Sequence, residues 1–204
     1  MLLTTLDYLG VAVFAISGAI AASRRRLDIV AFVFFATMTG VGGGTLRDLI
    51  LDVPVFWTEA PEYLLVCAAA ALSMWFLADS AESWGKPLRW ADAVGIAAYS
   101  VMGAAKALAL GSHPLVAVIM GVSTATFGGV IRDLIANEPS AILKNEIYLT
   151  AAFLGAGTYA TLRTFGLNPW VAAGIGFAAA LFLRGGAILR GWSLPHYAPR
   201  NEPR

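Results

Sequence analysis

Thr39-Gly40-Val41-Gly42-Gly43-Gly44-Thr45-Leu46-Arg47-Asp48-Leu49-Ile50 has an echo 85 residues further on, Thr124-Ala125-Thr126-Phe127-Gly128-Gly129-Val130-Ile131-Arg132-Asp133-Leu134-Ile135. The two phrases align without a gap. The same offset pairs Asp7 with Asp92, Gly10 with Gly95, Gly18 with Gly103, Pro54 with Pro139 and Tyr63 with Tyr148. A constant offset over about 60 residues marks an internal duplication.

Both copies lie in apolar sequence. The chain is 58% hydrophobic and 13% charged, where soluble domains average roughly 45–50% and about 25%. Mean hydropathy is +0.71. Runs of about 20 residues, each able to cross a ~30 Å hydrocarbon layer, fall at 3–23, 27–50, 62–80, 90–110, 114–136, 145–163 and 168–188. A soluble fold would have almost no polar surface left to cover it. The expectation is an all-α membrane protein with seven transmembrane helices in one domain, 1–192. Repeat one covers 3–80, repeat two 90–163 and a seventh helix 168–188, with a disordered tail at 193–204.

Met1-Leu2-Leu3-Thr4-Thr5-Leu6-Asp7 has no basic n-region and no small-residue cleavage site. It is read as the start of the first helix and not as a signal peptide. Cys67 is the sole cysteine, so an intrachain disulfide and a CxxC metal site are excluded. A net charge of +1 gives no reason to expect a nucleic-acid partner.

Basic residues set the expected orientation. Arg24-Arg25-Arg26 follows the first run, Lys86 and Arg89 the third, Lys144 the fifth, and Arg190, Arg200 and Arg204 the last. Arg163, after the sixth, is the exception. The positive-inside rule places the first group in the cytoplasm, with the N-terminus outside and the C-terminus cytoplasmic. Three runs per repeat is an odd number. The second copy therefore enters from the opposite face, giving an inverted pair of three-helix repeats.

Gly42, Gly43 and Gly44, with Gly128 and Gly129, are expected to interrupt the second and fifth helices. Each glycine costs about 1 kcal/mol in a helix interior relative to alanine. A break frees backbone carbonyls, which must then face protein or water, where they can replace part of a cation's hydration shell. The plainer reading is close helix packing, since Gly40-xxx-Gly44 is a small-xxx-small match. Duplication of the cluster, each copy followed by Arg-Asp, favours a pore-lining kink.

Span order places Asp7, Arg47 and Asp48 towards the outer face, and Asp92, Arg132 and Asp133 towards the inner one. Two symmetric charge clusters are expected, since a membrane arginine must pair or snorkel. Lys106 has Ala21 as its counterpart and breaks the symmetry. It either snorkels outward or projects into the pathway as a gating charge.

Other residues carry less. His113 and His196 have no second ligand at metal spacing. Trp57, Trp75, Trp84, Trp90, Trp170 and Trp192 sit near run ends, as interfacial aromatics do. Gly155, Gly157, Gly174 and Gly176 predict tight contact of the last two helices. No nucleotide-binding, hydrolase or haem motif is present, so neither an enzyme nor a cofactor is expected.

Two Gly-Gly-x-x-Arg-Asp phrases in two three-helix repeats plus a seventh helix resemble the prokaryotic trimeric intracellular cation (TRIC) channel family, also labelled a glycine transporter domain family. The resemblance covers about residues 5–190. It implies a homotrimer in the plasma (inner) membrane, with one pore per subunit. It also implies potassium-preferring conduction of monovalent cations between the repeats, past bends at Gly42–Gly44 and Gly128–Gly129 with Arg47 and Arg132 nearby. Membrane lipid is the surrounding partner. Animal members carry a Lys-Glu-Val phrase linked to phosphoinositide; here that stretch reads Thr126-Phe127-Gly128-Gly129-Val130-Ile131-Arg132.

Two functions follow. One is a passive cation channel. The other is a secondary transporter of glycine or a similar small zwitterion, its carboxylate held by half-helix N-termini after the breaks. No acidic residue sits at the middle of a run, which speaks against proton or sodium coupling.

Overall fold

The computed structural model describes residues 2–77, 85–140 and 147–194. They form eight helices: α1 (Leu2–Arg24), α2 (Ile29–Ile50), α3 (Phe56–Glu59), α4 (Glu62–Leu77), α5 (Gly85–Ala109), α6 (Pro114–Ile135), α7 (Leu149–Thr164) and α8 (Pro169–Arg190). The single turn α3 was not expected. Lys144, Trp84, His196 and most of the expected tail lie outside the described residues.

By length and composition α2, α6 and α8 are able to cross a membrane. The other expected spans are less clear-cut for a local reason. α1 and α5 each bury an aspartate, Asp7 and Asp92, while α4 and α7 have 16 described residues each.

The duplication is visible in the ends of the helices. Asp28 caps α2 by accepting from Ala31 N at 2.8 Å. Its counterpart His113 caps α6, Nδ1 accepting from Leu115 N at 3.2 Å. Both caps satisfy first-turn donors that have no helical partner. The preceding turns use left-handed residues at matching positions, Arg26 (φ 53°) and Gly111 (φ 81°). Another such pair, Asp52 (φ 53°) and Asn137 (φ 51°), ends α2 and α6.

Packing repeats in the same way. α1, α2 and α4 contact one another, and so do α5, α6 and α7, while α8 packs on α5 and α7. The two trios meet through α1 against α5 and α2 against α6. These contacts are reciprocal. The space beside Gly10 is filled by the Tyr99 ring, and that beside Gly95 by the Phe14 ring. The two rings stack at 5.3 Å. At the second crossing the Thr124 carbonyl lies against Gly43, and the Thr39 carbonyl against Gly128. Each contact is the other shifted by 85, as a local two-fold axis requires. The pairing order also makes α2 and α6 antiparallel where they cross.

Candidate ion pathway and its charge clusters

The glycines do not interrupt their helices. α2 runs unbroken from Ile29 to Ile50 and α6 from Pro114 to Ile135. The expected breaks are therefore corrected, and the reason lies in packing. A methyl group on Gly128 would stand 2.5 Å from the Thr39 carbonyl oxygen, and one on Gly43 closer still to that of Thr124. The helices meet backbone to backbone, which offsets the helix-propensity cost of glycine. Gly44 and Gly129 make room instead for the Phe56 ring and the Tyr148 hydroxyl. Gly42 faces the flexible tip of Ile131 and has no glycine counterpart, since Phe127 occupies that place.

Thr39 and Thr124 add a second local feature. Their hydroxyls donate to the carbonyls four residues earlier, Phe35 at 2.7 Å and Met120 at 2.6 Å. Such back-bonding bends helices without breaking them.

One turn beyond the crossing, each helix carries its Arg-Asp pair into the interior. Arg47 is 0% exposed. Its Nε donates to Asp48 Oδ1 at 2.6 Å, and its Nη1 lies 3.6 Å from Asp7 Oδ1. Asp48 Oδ2 accepts from the Phe56 amide at 3.0 Å, which fixes α3 against the cluster. Arg132 is also buried. Its Nε and Nη2 donate to Asp133 Oδ1 at 2.9 and 2.8 Å, and Nη1 to Asp92 Oδ1 at 3.1 Å. Thus Asp7, Arg47 and Asp48 come together, as do Asp92, Arg132 and Asp133. Because α2 and α6 are antiparallel, the arginines fall on opposite sides of the crossing. With Arg47 level with Met120, a rise of 1.5 Å per residue puts them about 18 Å apart along the axis.

Lys106 does not take the outward, snorkelling course. Its Nζ lies 2.8 Å from Asp48 Oδ1, and its side chain is 21% exposed. It is a counter-ion of the first cluster and does not snorkel free of it.

Several contributors were not anticipated. Arg47 Nη1 also donates to Met102 Sδ at 2.8 Å, and Arg132 Nη1 to Ser17 Oγ. Ser17 and Met102 are themselves 85 apart, a signal that the duplication makes readable. Arg184, buried on α8, sits 5.2 Å over the Tyr148 ring, a cation–π distance. A charge inside the run 168–188 was the available clue. Of the four glycines expected between the last two helices, Gly155 and Gly176 pack on each other. Gly157 and Gly174 have open space beside them.

A helical membrane protein built on an approximate two-fold repeat, with a charged cluster on each side of the central crossing, is the class these features define. The sequence profile of the family described as glycine transporter matches residues 4–79 and again 89–164, the two matches starting 85 residues apart. The chain belongs to this family, which includes the TRIC channels. It is 39% identical over 203 residues to the UPF0126 inner membrane protein YadS of Escherichia coli, covering 97% of each. Among solved structures it resembles the TRIC trimeric intracellular cation channel orthologue from Rhodobacter sphaeroides. That likeness has a TM-score of 0.91 and 46% identity, and covers 93% of this chain and 98% of the other. A second prokaryotic TRIC channel matches with TM-score 0.87 and 28% identity, over 95% of this chain and 99% of its own.

Proposed function

We propose that the chain is a channel for monovalent cations, potassium-preferring, assembled as a homotrimer with one pathway in each subunit. In this reading α1, α2 and α4 to α8 cross the membrane, and the two three-helix repeats cross in opposite directions. The pathway runs between the repeats, alongside the close crossing of α2 and α6. The plasma (inner) membrane is its place, with the N-terminus outside and the C-terminus in the cytoplasm.

The observation that carries this reading is the pair of buried charge clusters on opposite sides of the α2–α6 crossing. Ionised groups at membrane depth persist where they are paired and face protein or a wet cavity. Two of them related by an in-plane axis mark the two approaches to a pathway at a repeat interface. The likeness to solved cation channels at up to 46% identity supports the same class. Lys106 and Arg47 then act as positive charges that restrict or gate cation passage.

The family description points to glycine transport instead. Flux measurements separate the two. Proteoliposomes loaded with potassium should lose it down its gradient when the protein is present, at a rate that glycine does not change. Saturable glycine uptake without potassium flux would replace the channel by the carrier.

A further inference from the structure

Symmetry makes the two arginine clusters comparable atom by atom, and they are not equally well made. Arg132 uses all three guanidinium nitrogens: Nε and Nη2 on Asp133, Nη1 on Asp92 and on the Ser17 hydroxyl. In the first cluster Met102 stands where Ser17 stands in the second. A thioether is a weak acceptor, whereas a hydroxyl oxygen offers two lone pairs. Arg47 Nη2 and Asp7 Oδ1 are buried without a hydrogen bond, and the 3.6 Å ion pair between Arg47 Nη1 and Asp7 is too long to be one. Around the second cluster Tyr148 Oη and Arg184 Nε make no hydrogen bond, but Tyr148 is neutral and Arg184 is held by the Tyr148 ring and the Ile147 carbonyl. No atom of Arg132, Asp92 or Asp133 is left so, and unmade bonds weigh more on charged atoms.

The surroundings differ in the same sense. Lys106, the added cation of the first cluster, is partly exposed. Its counterpart Ala21 brings no charge to the second. There Arg184 arrives from α8, outside the duplication, and lies 2% exposed over Tyr148. The Tyr148 hydroxyl in turn shares the space beside Gly129 with Asp92 Oδ1 and Arg132 Nη2.

We infer that the Arg132 cluster is a fixed anchor and that the Arg47 cluster is the moving gate, with Met102 and Ser17 as the positioning residues that set the difference. The inference rests on the channel reading. Incomplete bonding leaves the Arg47 cluster a second arrangement at small cost, in which Arg47 and Lys106 repartition around Asp48 and Asp7. Arg132, bonded through each of its three guanidinium nitrogens, has no such alternative.

The test exchanges the two acceptors. Met102→Gln keeps the length of the side chain and gives Arg47 an amide oxygen; Met102→Ser copies the second cluster. Both should lower open probability at least threefold in single-channel records, with unitary conductance unchanged. Ser17→Met should raise open probability or add a second closing transition. Altered thermal stability with unmoved open probability would overturn the inference, because a purely structural role predicts that result. A second measurement does not need current. Hydrogen exchange of the amides of Leu51 and Val53, bonded to Arg47 and Asp48 carbonyls, compares with that of Ala136 and Glu138, bonded to Arg132 and Asp133 carbonyls. Exchange at least tenfold faster in the first pair, narrowed by Met102→Gln, is expected. Equal exchange would overturn the inference even if the wild-type protein proved not to conduct, an outcome that by itself sinks only the channel reading.

Discussion

Gly43 and Thr124 meet with no room for a methyl group between them, the Thr124 carbonyl oxygen occupying the space a side chain would need. Gly128 and Thr39 repeat the contact. The obstacle is backbone in both cases and cannot swing aside. Gly43→Ala and Gly128→Ala should each destabilise the protein by about 1–3 kcal/mol, as overpacking does. Thermal unfolding in detergent measures this. Gly157→Ala and Gly174→Ala, inside α7 and α8 where nothing lies within 4 Å, should instead be neutral or stabilising by up to about 1 kcal/mol. Equal losses at all four positions would mean that the crossing is looser than described.

Asp48 is the hub of the first cluster. It receives Arg47 Nε at 2.6 Å, Lys106 Nζ at 2.8 Å and the Phe56 amide at 3.0 Å. Asp48→Asn leaves two cations short of their carboxylate and should cost about 3–5 kcal/mol, the usual result of removing one partner from a buried pair. Glu138→Gln removes the partner of Arg25 in a pair 41% and 32% exposed. Solvent screens that pair, and its loss should be worth under ~1 kcal/mol. Unfolding of the two variants side by side checks the ordering.

Double-mutant cycles rank the longer-range pairs. The Asp92–Arg132 distance is 3.1 Å and the Asp7–Arg47 distance 3.6 Å. Coupling in such contacts falls in the range of about 0.5–3 kcal/mol. The cycle of Asp92→Asn with Arg132→Gln should give the larger value. No coupling between Asp7→Asn and Arg47→Gln would dissolve the first cluster as a unit.

Lys106 supplies the positive charge that the second repeat lends to the first cluster. Lys106→Gln should change unitary conductance by at least about twofold, through the local field at the pathway, or shift its voltage dependence. The helical content by circular dichroism should stay the same. Unchanged currents would make Lys106 a structural counter-ion of Asp48 alone.

The sequence carried the all-helical architecture because the hydrophobic runs and the offset of 85 are both one-dimensional signals. It also located the residues of the two clusters, since a duplicated Arg-Asp after duplicated glycines is readable without coordinates. It misled at the glycines themselves. Propensity says that Gly42–Gly44 weaken a helix, but whether the helix breaks depends on what fills the space beside them, and that is a neighbouring backbone. Lys106 was ambiguous for a similar reason: its partner Asp48 lies 58 positions away, on a different helix. Met102 and Ser17 act across the pseudo-symmetry axis, so only the offset of 85 points to them; Tyr148 shows only as the partner of Tyr63 at that offset, and Arg184 only as a charge inside an apolar run. The turn α3 is only four residues long, below any periodicity that a sequence can display.

Single-channel recording of the purified protein in planar bilayers, under a potassium gradient and with glycine added in turn, tests the central claim most directly. Discrete unitary currents that reverse near the potassium equilibrium potential, indifferent to glycine, are the predicted result. Absence of unitary current, together with saturable glycine uptake by the same preparation, would contradict it and make the α2–α6 crossing part of a carrier.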